Sequence, residues 1–207
     1  MSYRIDILRK EEQKIMTWSG GTTNQLAIYP KDADYSQRSF LWRISSAKVE
    51  ADESVFTHLP GIWRLIMVLD GEMKLEHEGH HSICLKPFEK DSFSGEWTTR
   101  SFGRVTDFNL MMAPGCRGDM QAISLNSKEK QEIADLLSSE MLSEKLTDAF
   151  YCYEGTVNIV TGTAEEVVLE KGDFLLINRG KPIQNPHMII CNTSQITASI
   201  IRVSITY

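Results

Sequence analysis

One arginine, Arg64, stands inside the apolar run IWRLIMVL of residues 62–69. Extended backbone alternates its side chains, so Ile62, Arg64, Ile66 and Val68 share one face and Trp63, Leu65, Met67 and Leu69 the other. A guanidinium on a strand that is apolar on both faces is costly to bury unless paired. Its planar fork suits a carboxylate or another flat anion. Asp107 and Asn109 repeat the pattern in VTDFNLMM, sharing a face with Val105 and Met111. Two readings fit these residues. Either Arg64 and Asp107 form an internal salt bridge, or Arg64 anchors a ligand carboxylate while Asn109 supplies amide donors and an acceptor. The two are compatible if Asp107 orients Arg64 from behind.

Arg43 follows the same logic in FLWRIS, residues 40–45, lying with Ser45 and Ala47 opposite Phe40, Trp42, Ile44 and Ser46. If the aromatic face packs on another sheet, Arg43 points outward; if the strand is reversed, Trp42 is a surface aromatic and Arg43 joins a pocket. In Trp18-Ser19-Gly20-Gly21-Thr22-Thr23 the paired glycines permit close backbone approach, and exposed N–H groups can hold an anion. Trp18 would wall a pocket, with Thr22 and Thr23 reaching a polar ligand. A tight turn before a strand explains the same glycines. No GK[ST] follows, so this is not a phosphate loop.

These residues must be positioned by strands, and the sequence carries a repeat of strands. LDGEMKLEHEGHHSICLKPFEKDSFSG begins at Leu69, and YEGTVNIVTGTAEEVVLEKGDFLLINRG begins at Tyr153. Gly71 aligns with Gly155 and Leu85 with Leu169, an offset of 84 in each case (155 − 71 and 169 − 85). An acidic residue and glycine between alternating apolar residues is a β signal, and self-similarity at one period marks a duplicated unit. The segment NSKEKQEIADLLSSEMLSEKL carries Ile133, Leu136, Leu137 and Met141 at helical spacing, with Asn126 and Glu129 placed as a capping box. The expected fold is all-β: two jelly-roll β-barrels at 1–119 and 149–207, joined by a helical connector at 120–148, with chain ends that cross between barrels.

The composition narrows the class further. The 207 residues carry a net charge of -6 with no clustered Lys/Arg, which argues against nucleic acid. No run approaches the ~18 apolar residues that cross a bilayer, and the charged first residues hold no secretory signal. Four scattered cysteines without CxxC suit a reducing compartment. The expectation is a cytoplasmic protein without membrane partner, with exposed strand edges that make a homodimer plausible.

WSGGTT, FLWRIS, the F-x-x-L-P-G-x-x-R of residues 56–64, VLDG at 68–71 and DFNLM at 107–111 occur in that order. Together they resemble the HutD/Ves bicupin family. The resemblance rests on residues 15–115; the second half matches at fold level only. It implies a bicupin associated with histidine utilisation that binds a small carboxylated metabolite, of the urocanate or formylglutamate kind, as a modulator rather than as a catalyst. Cupin metal sites place His-x-His before a Glu on adjoining strands. Here that stretch offers only His58, which is retained as a ligand-binding candidate. His77, His80 and His81 fall in a polar turn expected to be solvated, and His187 follows Pro186 without a visible partner. No metal and no cofactor are expected. The alternatives are a cupin-type enzyme, an isomerase or dioxygenase acting on a small organic acid, or an interaction module.

Overall fold

A computed structural model describes residues 3–134, 136, 145–161, 165–179 and 188–207. Strand β1 (Tyr3–Leu8) precedes a single 3-10 turn at Lys10–Glu12. Ten strands follow: β2 (Ile15–Trp18), β3 (Gly21–Tyr29), β4 (Trp42–Val49), β5 (Glu53–Val55), β6 (Trp63–Asp70), β7 (Met73–His77), β8 (Ser82–Leu85), β9 (Lys90–Ser94), β10 (Thr99–Phe102) and β11 (Val105–Met112). The chain continues as β12 (Arg117–Leu125), β13 (Lys130–Ile133), β14 (Leu146–Glu154), β15 (Thr156–Val160), β16 (Glu166–Glu170), β17 (Phe174–Arg179), β18 (Met188–Asn192) and β19 (Ala198–Thr206).

The chain divides into two compact units. The first, Gln13–Cys116, packs a six-stranded sheet (β2-β3-β4-β11-β6-β9) on a four-stranded one (β5-β10-β7-β8). Its core draws on both sheets: Val49, Ile66, Val68, Phe93 and Val105 from one, Met73, Leu75 and Leu85 from the other. The second unit, Met1–Glu12 with Arg117–Tyr207, pairs a five-stranded sheet (β1-β17-β14-β19-β12) with a four-stranded one (β13-β18-β15-β16). Phe150, Leu175 and Ile200 of the former pack there with Val157, Leu169 and Ile190 of the latter.

The repeat is visible in the backbone. Gly71 and Gly155 both sit at φ 83, a conformation that costs side-chain-bearing residues about 1–2 kcal/mol. A Cβ on Gly71 would stand 2.5 Å from the Arg104 carbonyl oxygen. Each glycine therefore turns the chain from the first strand of its copy into the next. The same offset governs strand pairing: Arg64 opposes Phe93, and Asp148 opposes Ile177, 84 residues on in both strands (148 − 64 and 177 − 93).

The described strands form four hydrogen-bonded sheets, two in each unit. One expectation is corrected here. The helix expected from Asn126 is not formed at its start. Asn126 and Glu129 do make their reciprocal bonds, Asn126 N–H to Glu129 Oε2 at 2.7 Å and Glu129 N–H to the Asn126 carbonyl at 3.0 Å. That closes a turn, after which β13 pairs with β18. Local capping signals give way where β18 offers a ladder to Lys130–Ile133 and Ile133 is buried in the core. Leu137 and Met141 of the expected helix lie outside the described residues.

Candidate functional site

The inner face of the six-stranded sheet is laid out in rows by its register. Arg43, Met111 and Arg64 form one row across β4, β11 and β6; Ser45, Asn109 and Ile66 form the next; Ala47, Asp107 and Val68 the third. With β5, β10 and the β5–β6 connection these rows enclose a cavity of about 340 Å³. It is lined by Arg43, Arg64, Asp107, Asn109, Trp18 and Thr23, with Met16, Thr17, Tyr35, Ser45, Ala47, Val49, Ser54, Val55, Phe56, Thr57, Ser101 and Met111.

Six of the eight residues expected from the sequence thus meet at one cavity. Thr22 and His58 do not. Alternation along β3 sends Thr23 inward and Thr22 to the other face. His58 is exposed in the connection before β6, where Pro60 and Gly61 follow it. Ser19 and Gly20 make a two-residue hairpin turn, and Gly21 opens β3 by pairing with Trp18. A Cβ on Gly20 would meet the Trp18 ring at 2.1 Å, so glycine lets the indole fold back beside the cavity.

The internal salt bridge is not formed. Asp107 sits opposite Val68, four residues along β6 from Arg64, roughly 13 Å of strand. No ion pair or hydrogen bond joins the Arg64 guanidinium to a protein group among the described residues, and its buried Nε lacks an acceptor. It is only 4% exposed. Its neighbours are aromatic faces, Phe56 at 4.5 Å and Phe93 at 5.3 Å from the guanidinium carbon. Cation–π contacts return about 2 kcal/mol when desolvated, whereas burying an ion costs several. Burial pulls Arg64 down to about 10, Tyr35 and Asp107 oppose that pull, and Arg43 adds to it. The group remains a cation at neutral pH.

Arg43 is better satisfied. Its Nε donates to Gln25 Oε1 at 2.8 Å and one Nη to Ser45 Oγ at 3.1 Å, and it stacks 4.3 Å from the Tyr35 ring. Burial lowers its pKa too. Neither of the two orientations expected for β4 is what occurs: Arg43 faces the cavity while Trp42, on the opposite side, is also buried, stacked 5.7 Å from Tyr29. Asn109 Oδ1 is buried without a donor.

Asp107 carries the opposite sign. Burial pushes its carboxyl up to about 7, with Arg64 pulling it back. A folded-state pKa above the unfolded one favours the fold below pH ~4, and that contribution is lost as pH rises through about 7. Asp107→Asn, neutral at every pH, is therefore expected to be more stable than the parent at pH 8, by an amount on the order of a few kcal/mol. The difference should vanish towards pH 4. Urea unfolding at the two pH values measures it, and equal destabilisation at both would show that the carboxylate is not strained.

Sequence reasoning missed Tyr35 and Phe56. Tyr35 lies in the polar stretch KDADYSQRS, where a lone aromatic was the available signal. In the second unit, Arg179 is a buried residue of β17 bonded to Asp148. Asp148 also accepts from Arg202 at 2.9 Å and Ser204 Oγ at 2.6 Å. Asp148 is the repeat equivalent of Arg64. The second unit neutralises this position with its own side chains; the first leaves a cation facing a cavity.

The HutD family description matches residues 10–193. A curated relative from Pseudomonas putida, an uncharacterised 21.2 kDa protein in the hutC 3' region, is 33% identical over 117 residues, covering 54% of this chain and 60% of that protein. The chain thus matches somewhat under two thirds of that relative's length. Among solved structures, a conserved protein of unknown function from Pseudomonas aeruginosa superposes with TM-score 0.78 at 23% identity, over 99% of this chain and 100% of that one. A bacterial pirin from Escherichia coli in complex with nickel(II) superposes with TM-score 0.63 at 12% identity, over 97% and 98%. At these identities the likeness concerns the fold, which is cupin-like.

Proposed function

The chain belongs to the HutD family, and from that premise we propose that it is a cupin-type binding protein whose first unit takes up a small carboxylated metabolite without converting it. The observation that carries this reading is Arg64: a buried guanidinium without an acceptor among the described residues, at the wall of a cavity of about 340 Å³. That volume lies within the range of small-molecule sites, about 300–1,000 Å³. A carboxylate bound there would supply the acceptors Arg64 lacks, in the bidentate geometry a guanidinium prefers. Asn109 would offer its amide, and Trp18 with Tyr35 would close on a flat ligand. The family and the hutC-region relative point to acids of histidine utilisation, of the urocanate or formylglutamate kind.

A second reading draws on Asp107. A carboxyl with a pKa near 7 inside a cavity is suited to general acid–base work, and would fit an isomerase acting on the same class of acid.

A thermal-shift panel of histidine-pathway acids, run with and without chelator, tests the proposal. A ligand at 100 times its Kd stabilises the native state by about 2.7 kcal/mol, so at least one acid should raise the melting temperature by several degrees, chelator or not, and be recovered unchanged. Conversion of that acid would favour the second reading. No shift with any acid at millimolar concentration would remove both.

A further inference from the structure

Of the three histidines expected to be solvated, His80 and His81 are exposed, and His77 is not. His77 is the last residue of β7 and only 3% exposed. Its Nε2 lies 2.9 Å from Asp91 Oδ2 on β9, and its Nδ1 lies 2.8 Å from Thr99 Oγ1 on β10. His81 Nε2, beyond the turn, lies 3.1 Å from the same Asp91 oxygen. The candidate ligand atoms of the three residues all fall within 4.8 Å of one another.

We propose that His77, His81 and Asp91 form a divalent transition-metal site, of zinc(II) type, that ties the two sheets of the first unit together. The spacing fits. Ligand distances of about 2.0–2.2 Å in a tetrahedron require donor separations of about 3.3–3.6 Å, so the observed 2.9 and 3.1 Å need to open by only a few tenths of an ångström. The donor set suits a borderline cation, because two imidazoles with one carboxylate exclude the hard ions that prefer all-oxygen shells. The outer shell is also in place. The Thr99 hydroxyl can accept from His77 Nδ1–H while donating to the Trp97 carbonyl at 3.5 Å, which leaves Nε2 free of its proton and aimed at Asp91. The His77 ring is fixed from one side by Phe93, 4.6 Å away.

Two carboxylates, Glu76 and Glu78, border the site; Glu76 is paired with Lys74 at 2.6 Å, and the bordering Arg100 with Glu53 at 2.9 Å. Topology gives the cation a mechanical role. His77 and His81 belong to the β7–β8 hairpin of the four-stranded sheet, whereas Asp91 belongs to β9 of the six-stranded sheet. With three protein ligands, one coordination position stays open to solvent. The site shares no lining residue with the Arg64 cavity.

Zinc(II) titrated calorimetrically into the metal-free full chain tests this. One equivalent should bind at micromolar or lower Kd and raise the melting temperature of the parent. His81→Ala, a partly exposed position, and Asp91→Asn should each weaken binding at least 10-fold while the metal-free proteins remain folded. Cobalt(II) loading should give the intense visible bands of a tetrahedral site in the parent and lose them in both variants. Absence of saturable binding below about 100 µM, or one tight equivalent that survives both substitutions, would overturn the proposal.

Discussion

Asp148→Ala is expected to destabilise the protein by about 3–5 kcal/mol, the usual consequence of removing one member of a buried ionic network. Asp148 has no solvent exposure and serves two buried arginines and a serine at once, through Arg179, Arg202 and Ser204. The substitution leaves both guanidinium groups without their shared carboxylate in a core built from Phe150, Ile177 and Ile200. Asp148→Asn should lie between parent and alanine variant, because the amide keeps one acceptor but not the charge. Circular dichroism in urea is the suitable readout, since all four tryptophans lie between residues 18 and 97, in the first unit. A loss under 1 kcal/mol would mean that the triad does not hold the second unit together.

Arg64→Met is expected to do the reverse: leave the fold intact and weaken acid binding by about 30-fold or more. The side chains are of similar length, and the thioether accepts the aromatic contacts with Phe56 and Phe93. Removing a buried cation that has no ion-pair partner among the described residues relieves a standing cost, so stability at pH 7 should stay level or rise. Loss of Arg64 also removes what holds the Asp107 carboxyl down, and Asp107 then takes up a proton instead of standing as an uncompensated anion. Truncating one side of a buried charge pair costs a complex about 2–5 kcal/mol, a fall in affinity from about 30-fold to several thousand-fold. Unfolding of Arg64→Met would instead place Arg64 among the structural residues.

Period-2 alternation on strongly apolar strands placed Arg64, Arg43, and Asp107 with Asn109 each on one face of its own strand, and a one-residue shift of any of β6, β4 or β11 would have turned that strand's polar residues away from the cavity. The 84-residue repeat likewise marks a matching glycine turn in each unit, at Gly71 and Gly155. What alternation did not reveal was depth. Both faces of β4 and β6 are largely buried, so the choice posed for Arg43 and Trp42 had no single exposed side to settle it. Nor could it reveal pairing between strands: the four-residue stagger that keeps Asp107 from Arg64 is set by the register of β11 on β6. His77 was misread for a related reason. It lies two residues from a Gly79 turn and reads as loop, but Asp91 and Thr99, brought in by β9 and β10, draw it into the core. The capping signal at Asn126 was real and local, and β13 pairing overrode its helical continuation.

Calorimetric titration of the stabilising acid into the parent and into Arg64→Met, at pH 6 and pH 8, puts the guanidinium itself on trial. One saturable site should appear in the parent, tighter at pH 6 where Asp107 is mostly protonated, and should be weakened about 30-fold or more in the variant at both pH values. Equal affinity in parent and variant would contradict the assignment of Arg64 as the anion anchor.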